Sequence, residues 1–106
     1  MAKFLIAASY TAQGLKGLQK DKASGRKQAV EAAYASLGGK LEALYYALGE
    51  ADVYAIADFP DSASAAAAGI AVSATGLVHT RTTALLTVEE ADRAIGKSVQ
   101  YRGPGQ

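Results

Sequence analysis

Two kinds of periodicity divide the chain into strand segments and helix segments. Alternation of apolar and polar positions, together with β-branched and aromatic residues, predicts four β-strands. These strands run over residues 3–10, 40–48, 52–59 and 77–86. Helical spacing of apolar residues predicts one helix after the first strand and another after the third. A third helix is expected from Thr87 to about Lys97, because Thr87 and Glu90 have the spacing of a capping box.

The first helical segment is predicted in two pieces. Thr11 is a suitable N-cap for the first piece, and the polar stretch 20–27 is expected to interrupt the helix. Ser24 is then expected to cap a second piece that runs over 26–37. Gly38 and Gly39 are expected to end it, because glycine readily adopts the backbone conformation that closes a helix.

The second helix follows the third strand closely. Pro60 cannot donate a hydrogen bond to a β-ladder, so it ends the strand, and Asp61 or Ser62 caps the helix. The helix is rich in alanine and is expected to stop near Gly76. Its small side chains are therefore expected to let it approach the sheet closely.

The order of the elements predicts the fold. A strand–helix–strand–strand–helix–strand order, followed by a C-terminal helix, is typical of an α+β, ferredoxin-like fold. Its sheet is four-stranded and antiparallel, and both helices lie on one face. A small domain with an uncovered sheet face is expected to pair through it, which here forms a dimeric α/β barrel. We expect one domain over residues 1–100 and an extended tail over 101–106.

Composition excludes several classes of protein. Of the 106 residues, 50% are apolar and 20% are charged, which is typical of a globular chain. The chain contains no cysteine, so disulfides, thiolate catalysis and cysteine-ligated metal sites are excluded. The most apolar helical segment is too short and too interrupted to span a bilayer, and no signal peptide is recognisable. A cytoplasmic protein is expected.

Charge is distributed unevenly along the chain. Residues 1–40 contain seven basic and two acidic residues, whereas residues 41–80 contain five acidic residues and no lysine or arginine. This split favours two complementary surfaces over nucleic-acid binding, because no aromatic residue interleaves with the basic run. A homo-oligomer is therefore predicted, with a small-molecule ligand as a further partner and with neither nucleic acid nor a membrane.

Polar residues of the third and fourth strands are predicted to share the uncovered face. Period-two alternation places Tyr54 and Asp58 of the third strand on the same side as His79 and Arg81 of the fourth. These four residues are the predicted ligand-binding residues, and His79, Tyr54 and Asp58 are the candidate catalytic residues. Arg81 is also expected to form an ion pair with Asp58 or Asp52, which would fix strand register or subunit pairing.

These residues have structural interpretations as well. His79 is the only histidine, and a lone histidine on a strand often makes a hydrogen bond in an interface. Tyr45, Tyr46 and Tyr54 on neighbouring strands are most simply cross-strand packing pairs, and the alternative is that one of them presents its hydroxyl to a ligand. The chain contains no phosphate-binding loop, no dinucleotide fingerprint and no Ser–His–Asp set, so no cofactor and no metal are predicted.

At the hairpin between the second and third strands, the sequence resembles the GYD domain family. The family is named for a Gly-x-Tyr-Asp-like turn, to which Gly49 and Asp52 correspond, whereas Ala51 stands where the family usually has tyrosine. The resemblance also covers residues 3–11, 36–40, 71–76 and 80–87. It implies a ferredoxin-like, dimeric α/β-barrel fold and no established activity. Within the turn, Gly49 is expected to take a positive φ, and Asp52 is expected to accept backbone N–H bonds across the turn.

Three functions are compatible with this sequence. The first is a small-molecule binding or sensing module that assembles as a homo-oligomer through its uncovered sheet face. The second is an enzyme of the dimeric-barrel kind, such as a cofactor-independent monooxygenase, an isomerase or a haem-handling protein, with His79 as base or axial ligand. The third is a structural protein whose role is assembly alone.

Overall fold

The computed structural model describes residues 1–106 as a four-stranded sheet with three helices. The elements are β1 (Ala2–Tyr10), α1 (Ala12–Ser36), β2 (Lys40–Tyr46), β3 (Val53–Phe59), α2 (Ser62–Ala74), β4 (Val78–Leu85) and α3 (Val88–Ile95). The strand order is β2-β3-β1-β4, and every neighbouring pair is antiparallel. The predicted ferredoxin-like α+β fold with an extra C-terminal helix is therefore confirmed.

The predicted assignment of residues to the two sheet faces is also confirmed. On β3, burial alternates strictly: the four odd-numbered residues are buried, and the residues between them are more exposed. The buried residues are Val53, Ala55, Ala57 and Phe59. Because side chains of a strand alternate between faces, one face packs under α1 and α2 while the other is left uncovered.

A cluster of aromatic rings lies at the end of the sheet where β3 ends. The Phe59 ring meets the edges of two other rings, with centroid distances of 5.9 Å to Phe4 and 4.9 Å to Tyr34. Such edge-to-face pairs stabilise a core beyond the area that they bury. Burial also raises the pKa of the Tyr34 hydroxyl. Tyr34 thus anchors α1 to the sheet at this end.

Helix α1 is interrupted within the predicted polar stretch. The break is at Lys22, whose φ of 64° and ψ of 168° are not helical. Ser24 lies within the helical residues that follow and does not cap them, so that detail of the prediction was wrong. The two ends are as predicted: Thr11 accepts a hydrogen bond from the Gly14 N–H, and Gly38 closes the helix with a φ of 73°.

The hairpin between β2 and β3 differs from the prediction. Its loop spans residues 47–52, because the two strands are shorter than expected. Gly49 does not have a positive φ, so this expectation was wrong. Asp52 does accept a backbone N–H, but the donor is Tyr10 at the end of β1, at 2.8 Å. The loop itself is closed by a bond of 2.8 Å from the Ala47 N–H to the Asp52 carbonyl.

Helix α2 lies very close to β4, as its small side chains predicted. A Cβ atom added at Gly69 would lie 3.4 Å from the Oγ1 atom of Thr80, which is ordinary contact distance. The helix begins at its predicted cap, where Asp61 accepts a hydrogen bond of 2.8 Å from the Ser64 N–H. This bond is the main cause that lowers the pKa of Asp61.

Helix α3 starts with the predicted capping box. The Thr87 N–H donates to Glu90 Oε1 at 3.0 Å, and the Glu90 N–H donates to Thr87 Oγ1 at 3.1 Å. No residue of α3 is buried. None of the three helices has both the length and the apolar character that crossing a membrane requires.

Candidate functional site

The uncovered sheet face, here called the open face, contains all four residues that the sequence singled out. It is formed by Lys3, Leu5, Ala7, Ser9, Lys40, Glu42, Ala43, Tyr45, Tyr54, Ile56, Asp58, His79, Arg81, Thr83 and Leu85. Tyr54 and Arg81 flank Ala7 in one row across the sheet, and two strand spacings of about 10 Å separate them. His79 is exposed and lies opposite Ser9, one row further along.

Asp58 lies far from the other three candidates. It is opposite Lys3 on β1, and His79 is opposite Ser9. Lys3 and Ser9 are six positions apart on one strand, so Asp58 and His79 are about 20 Å apart. Within one chain, the face therefore brings Tyr54, Arg81 and His79 into neighbouring rows and leaves Asp58 outside them. A ligand-binding or catalytic role for these residues stays a prediction.

The ion pair expected for Arg81 does not form within the chain. Asp58 Oδ1 instead accepts from Lys3 Nζ at 3.0 Å, and Glu42 Oε2 accepts from the same nitrogen at 2.7 Å. These two hydrogen bonds, first that of Glu42 and then that of Asp58, raise the pKa of Lys3. Asp52 is also unavailable to Arg81, because its side chain binds the Tyr10 amide.

A cavity of about 90 Å³ lies on the opposite side of the sheet, between α1, α2 and the strands. We call it the cleft. Most of its lining is apolar, and all four strands and both helices contribute. The lining residues are Ile6, Ala8, Tyr10, Arg26, Ala29, Val30, Ala33, Tyr34, Leu44, Tyr46, Val53, Ala55, Val72, Val78 and Thr80.

The cleft continues into a second, more open space of about 260 Å³, here called the outer groove. The outer groove lies between the first half of α1 and the end of α2. Its lining residues are Tyr10, Gly14, Gly17, Leu18, Asp21, Arg26, Ala71, Val72, Thr75, Leu77 and Val78. Four residues line both spaces, namely Tyr10, Arg26, Val72 and Val78, so they mark the junction between them.

The cleft exists because the helix layer does not fill the space above this end of the sheet. The floor includes Ala8 and Ala55, whose side chains are small and fill little of the space above the strands. Helix α2 reaches the cleft only through Val72, since its other residues that face the sheet are alanine, glycine and serine. Helix α1 changes direction at Lys22, just before the residues that form its wall of the cleft. Small floor residues and a bent helix together leave the space open.

Arg26 is the one charged residue of the cleft. It is half-buried, whereas Lys16, Lys20, Lys22 and Lys27 of the same helix are exposed. Both ion pairs of the chain belong to Lys3, so the Arg26 guanidinium has no carboxylate partner. Partial removal of a charge from water without a counter-charge is unfavourable, and the junction therefore favours an anion.

Two tyrosine hydroxyls accompany Arg26. The pKa of Tyr46, which is 39% exposed, is raised to about 12, mainly by partial burial and also by interaction with the Tyr10 hydroxyl. The nearby Arg26 guanidinium acts in the opposite direction, because it favours the phenolate. Tyr46 is therefore a neutral hydrogen-bond donor at physiological pH. Arg26 and Tyr10 thus lie at the junction, and Tyr46 lines the cleft beside them.

The sequence analysis did not identify Tyr10 or Arg26 as site residues, and it considered Tyr46 only among three strand tyrosines. A signal was present for Tyr10 and for Arg26. Tyr10 shares its strand face with Ile6 and Ala8, which predicts a position under the helices. Arg26 precedes Val30 and Ala33 at helical spacing, so it occupies the core-facing stripe of α1. A charged residue at a core-facing position is the feature that distinguishes it from the other basic residues of the helix.

Fold and cleft define this protein as a ferredoxin-like α+β domain with an apolar cleft between its helices and its sheet. The family model of the GYD domain matches residues 4–95, and the chain belongs to that family. Comparison with curated proteins and comparison with solved structures each find no match. Ala51, in the hairpin loop between β2 and β3, is completely buried.

Proposed function

We propose that this protein is a small-molecule binding module that takes small organic anions in the cleft and assembles as a homo-oligomer through its open face. The anion has an apolar body, which occupies the cleft, and a carboxylate-like head, which meets Arg26 at the junction. The observation that carries this proposal is the half-buried, unpaired Arg26 at the mouth of an apolar cavity.

The lining determines which ligands fit. An apolar cavity of roughly 150 Å³ in another protein accommodates benzene. The cleft, at about 90 Å³, is of the same order, and the outer groove offers further room. A single ring or a short branched chain therefore suits the cleft. Arg26 provides parallel N–H donors that match a carboxylate, and the Tyr10 and Tyr46 hydroxyls lie beside it.

Benzoate is a suitable probe, and benzyl alcohol is its neutral counterpart. We expect isothermal titration calorimetry to show that benzoate binds at least tenfold more tightly, because hydrogen bonds to a charged group contribute roughly 1.5–3 kcal/mol. Arg26→Gln is expected to remove this advantage and to leave benzyl alcohol binding unchanged. Lys27→Gln removes an exposed charge from the same helix and is the matched control.

A second pair of variants locates the site. Ala8→Leu fills the floor of the cleft, and Ala33→Leu fills its α1 wall; either is expected to abolish binding of both probes. Binding that persists in a folded filled variant contradicts the cleft as the site. Equal affinity for the two probes, with no effect of Arg26→Gln, contradicts the anion and leaves the cavity as a site for neutral ligands.

Assembly through the open face has its own support. Both helices lie on the other side of the sheet, so the apolar residues Leu5 and Ile56, which are opposite each other, are not covered. Tyr45 and Tyr54 form a second pair across neighbouring strands, and their exposed fractions are 71% and 37%. Apolar and aromatic side chains at the centre of an uncovered face are typical of an interface.

Sedimentation velocity tests this assembly. Ile56→Lys places a charge at the centre of the open face and is expected to shift an oligomer towards monomer. Ile70→Lys is the matched control, because Ile70 is 69% exposed on α2, away from that face. Arg81→Ala is also expected to weaken assembly if Arg81 finds its carboxylate partner in another subunit. A wild-type protein that sediments as a monomer, or an unchanged Ile56→Lys oligomer, contradicts the proposal.

A further inference from the structure

The outer groove contains one residue of each charge. Asp21 and Arg26 both line it, and they lie on opposite sides of the break at Lys22 in α1. The two side chains do not form an ion pair with each other, because both ion pairs of the chain belong to Lys3. Asp21 is also the only acidic residue that lines either the groove or the cleft. The groove therefore presents a cation and a carboxylate that are separate from each other.

The break in α1 brings these two residues to one groove. Successive residues of an α-helix are rotated by about 100° around its axis, so residues five positions apart on a straight helix point about 140° away from each other. Lys22 interrupts the helix between Asp21 and Arg26 with a φ of 64° and a ψ of 168°. Residues other than glycine are strained in this conformation, and they persist in it where the surrounding structure holds them, often at ligand sites. The strained residue thus lies between the two charged residues of the groove.

We infer that the anion bound at Arg26 is the carboxylate of an α-amino acid with an apolar side chain. The ligand class rests on the proposed function, since it uses the same cleft and the same arginine. Arg26 receives the carboxylate, the apolar side chain enters the cleft, and the α-ammonium group donates a hydrogen bond to Asp21. One carbon of an α-amino acid carries all three groups, which suits a junction between an apolar cleft and a groove with a carboxylate.

The outer groove suits the ammonium group because it is open to water. Its α1 wall includes Gly14 and Gly17, and a Cβ atom added at Gly17 would meet nothing within 4 Å. An ammonium group that stays partly hydrated avoids most of the cost of burying a charge. Asp21 is itself exposed, so it loses little hydration when it accepts a hydrogen bond. The apolar cleft, in contrast, excludes amino acids whose side chain is charged.

Phenylalanine and 3-phenylpropanoate test the ammonium contact, because they share the ring and the carboxylate and differ only in the ammonium group. We expect isothermal titration calorimetry to show that one enantiomer of phenylalanine binds about tenfold or more tightly than 3-phenylpropanoate. Asp21→Asn is expected to remove this advantage and to leave 3-phenylpropanoate binding unchanged. Glu31→Gln removes an exposed carboxylate of the same helix that lines neither space, and it is the matched control.

The two enantiomers of phenylalanine give a second readout. Polar groups at fixed positions orient a ligand, and three fixed contacts accept only one arrangement of groups around the α-carbon. The affinities of the enantiomers are therefore expected to differ by about tenfold or more. Asp21→Asn removes one of the three contacts and is expected to bring both enantiomers to the affinity of 3-phenylpropanoate. Circular dichroism of the variant checks that the exposed substitution leaves the fold intact.

Two outcomes contradict the amino-acid ligand and leave the cleft as an anion site. In the first, 3-phenylpropanoate binds and Arg26→Gln weakens it, but neither enantiomer of phenylalanine binds more tightly. In the second, phenylalanine binds more tightly and a folded Asp21→Asn variant retains the whole advantage, so the ammonium group does not meet Asp21. If neither 3-phenylpropanoate nor phenylalanine binds to the wild type, the proposed function is overturned together with the amino-acid ligand.

Discussion

The Oδ2 atom of Asp52 lies 2.8 Å from the backbone nitrogen of Tyr10 and accepts its N–H. This hydrogen bond ties the loop of residues 47–52 to the end of β1, which is far from it in sequence. The backbone N–H of Asp52 adds a bond of 2.9 Å to the Ala8 carbonyl, so one residue is held to β1 twice. The junction residue Tyr10 is thereby fixed at the mouth of the cleft.

Removing the Asp52 carboxylate is expected to destabilise the protein. Asp52→Ala leaves the half-buried Tyr10 N–H without its acceptor, and such a loss costs about 1–3 kcal/mol. Urea unfolding followed by circular dichroism measures the free energy of unfolding. Asp52→Asn keeps an acceptor oxygen, so its free energy of unfolding is expected to fall by less than that of Asp52→Ala. Glu50→Ala, in the exposed part of the same loop, is expected to stay within about 0.5 kcal/mol of the wild type, and an equally stable Asp52→Ala contradicts the role of the bond.

Two glycines of α1 are expected to respond oppositely to alanine. A Cβ atom at Gly14 would lie well inside contact distance of the Leu77 carbonyl oxygen, whereas one at Gly17 meets nothing within 4 Å. Gly14→Ala is therefore expected to lower the free energy of unfolding by about 1–3 kcal/mol. Gly17→Ala is expected to raise it by about 0.5–1 kcal/mol, because alanine favours a helix. Chemical denaturation of the two variants tests this, and the same sign for both contradicts the close packing of α1 against residue 77.

The raised pKa of Tyr46 predicts a loss of stability at high pH. An unfolded tyrosine has a pKa of about 10, whereas burial and the Tyr10 hydroxyl hold the pKa of Tyr46 in the folded protein at about 12. Between these values the unfolded state has released a proton that the folded state retains, so stability falls as the pH rises. Below a pH of about 10, the full contribution of Tyr46 to the stability of the folded protein is present.

Spectroscopic titration checks this assignment. The Cζ resonance of Tyr46, followed by carbon-13 NMR, is expected to titrate near 12, and Tyr46→Phe is expected to flatten the fall in stability. Arg26→Gln is expected to move the transition to still higher pH, because the guanidinium favours the phenolate. Tyr101→Phe, in the exposed C-terminal tail, is the control and leaves the Tyr46 transition in place. Titration of Tyr46 near the ordinary tyrosine value contradicts the burial argument.

Local chemistry made most of the fold predictable. The caps at Thr11, Asp61 and Thr87 each hold the hydrogen bond that their sequence context predicts. Strand alternation identified both faces of the sheet, since one register places every second side chain under the helices. The hairpin loop was harder to predict. Asp52 takes its partner from β1, and a turn-based pattern carries no information about a contact so distant in sequence.

The candidate site was only partly predictable for a related reason. Alternation placed Tyr54, His79 and Arg81 on one face, and the structure agrees. The distance between two residues on one face depends on the register of the strands. The observed register separates Asp58 from His79 and places Asp58 beside Lys3. The cleft forms because α2 carries mostly small side chains above the sheet and because α1 bends at Lys22. Packing defects of this kind emerge only when several elements are assembled.

The most direct measurement is a proton–nitrogen correlation titration of the labelled protein with benzoate, followed at the Nε–Hε signal of Arg26. Our account predicts a saturable shift of this signal together with the amides of cleft residues such as Ala8 and Val53. Arg26→Gln is expected to reduce the shifts of the remaining cleft amides at equal benzoate concentration. Shifts confined to the open face around Tyr54 and His79, with the Arg26 signal unmoved, would contradict it.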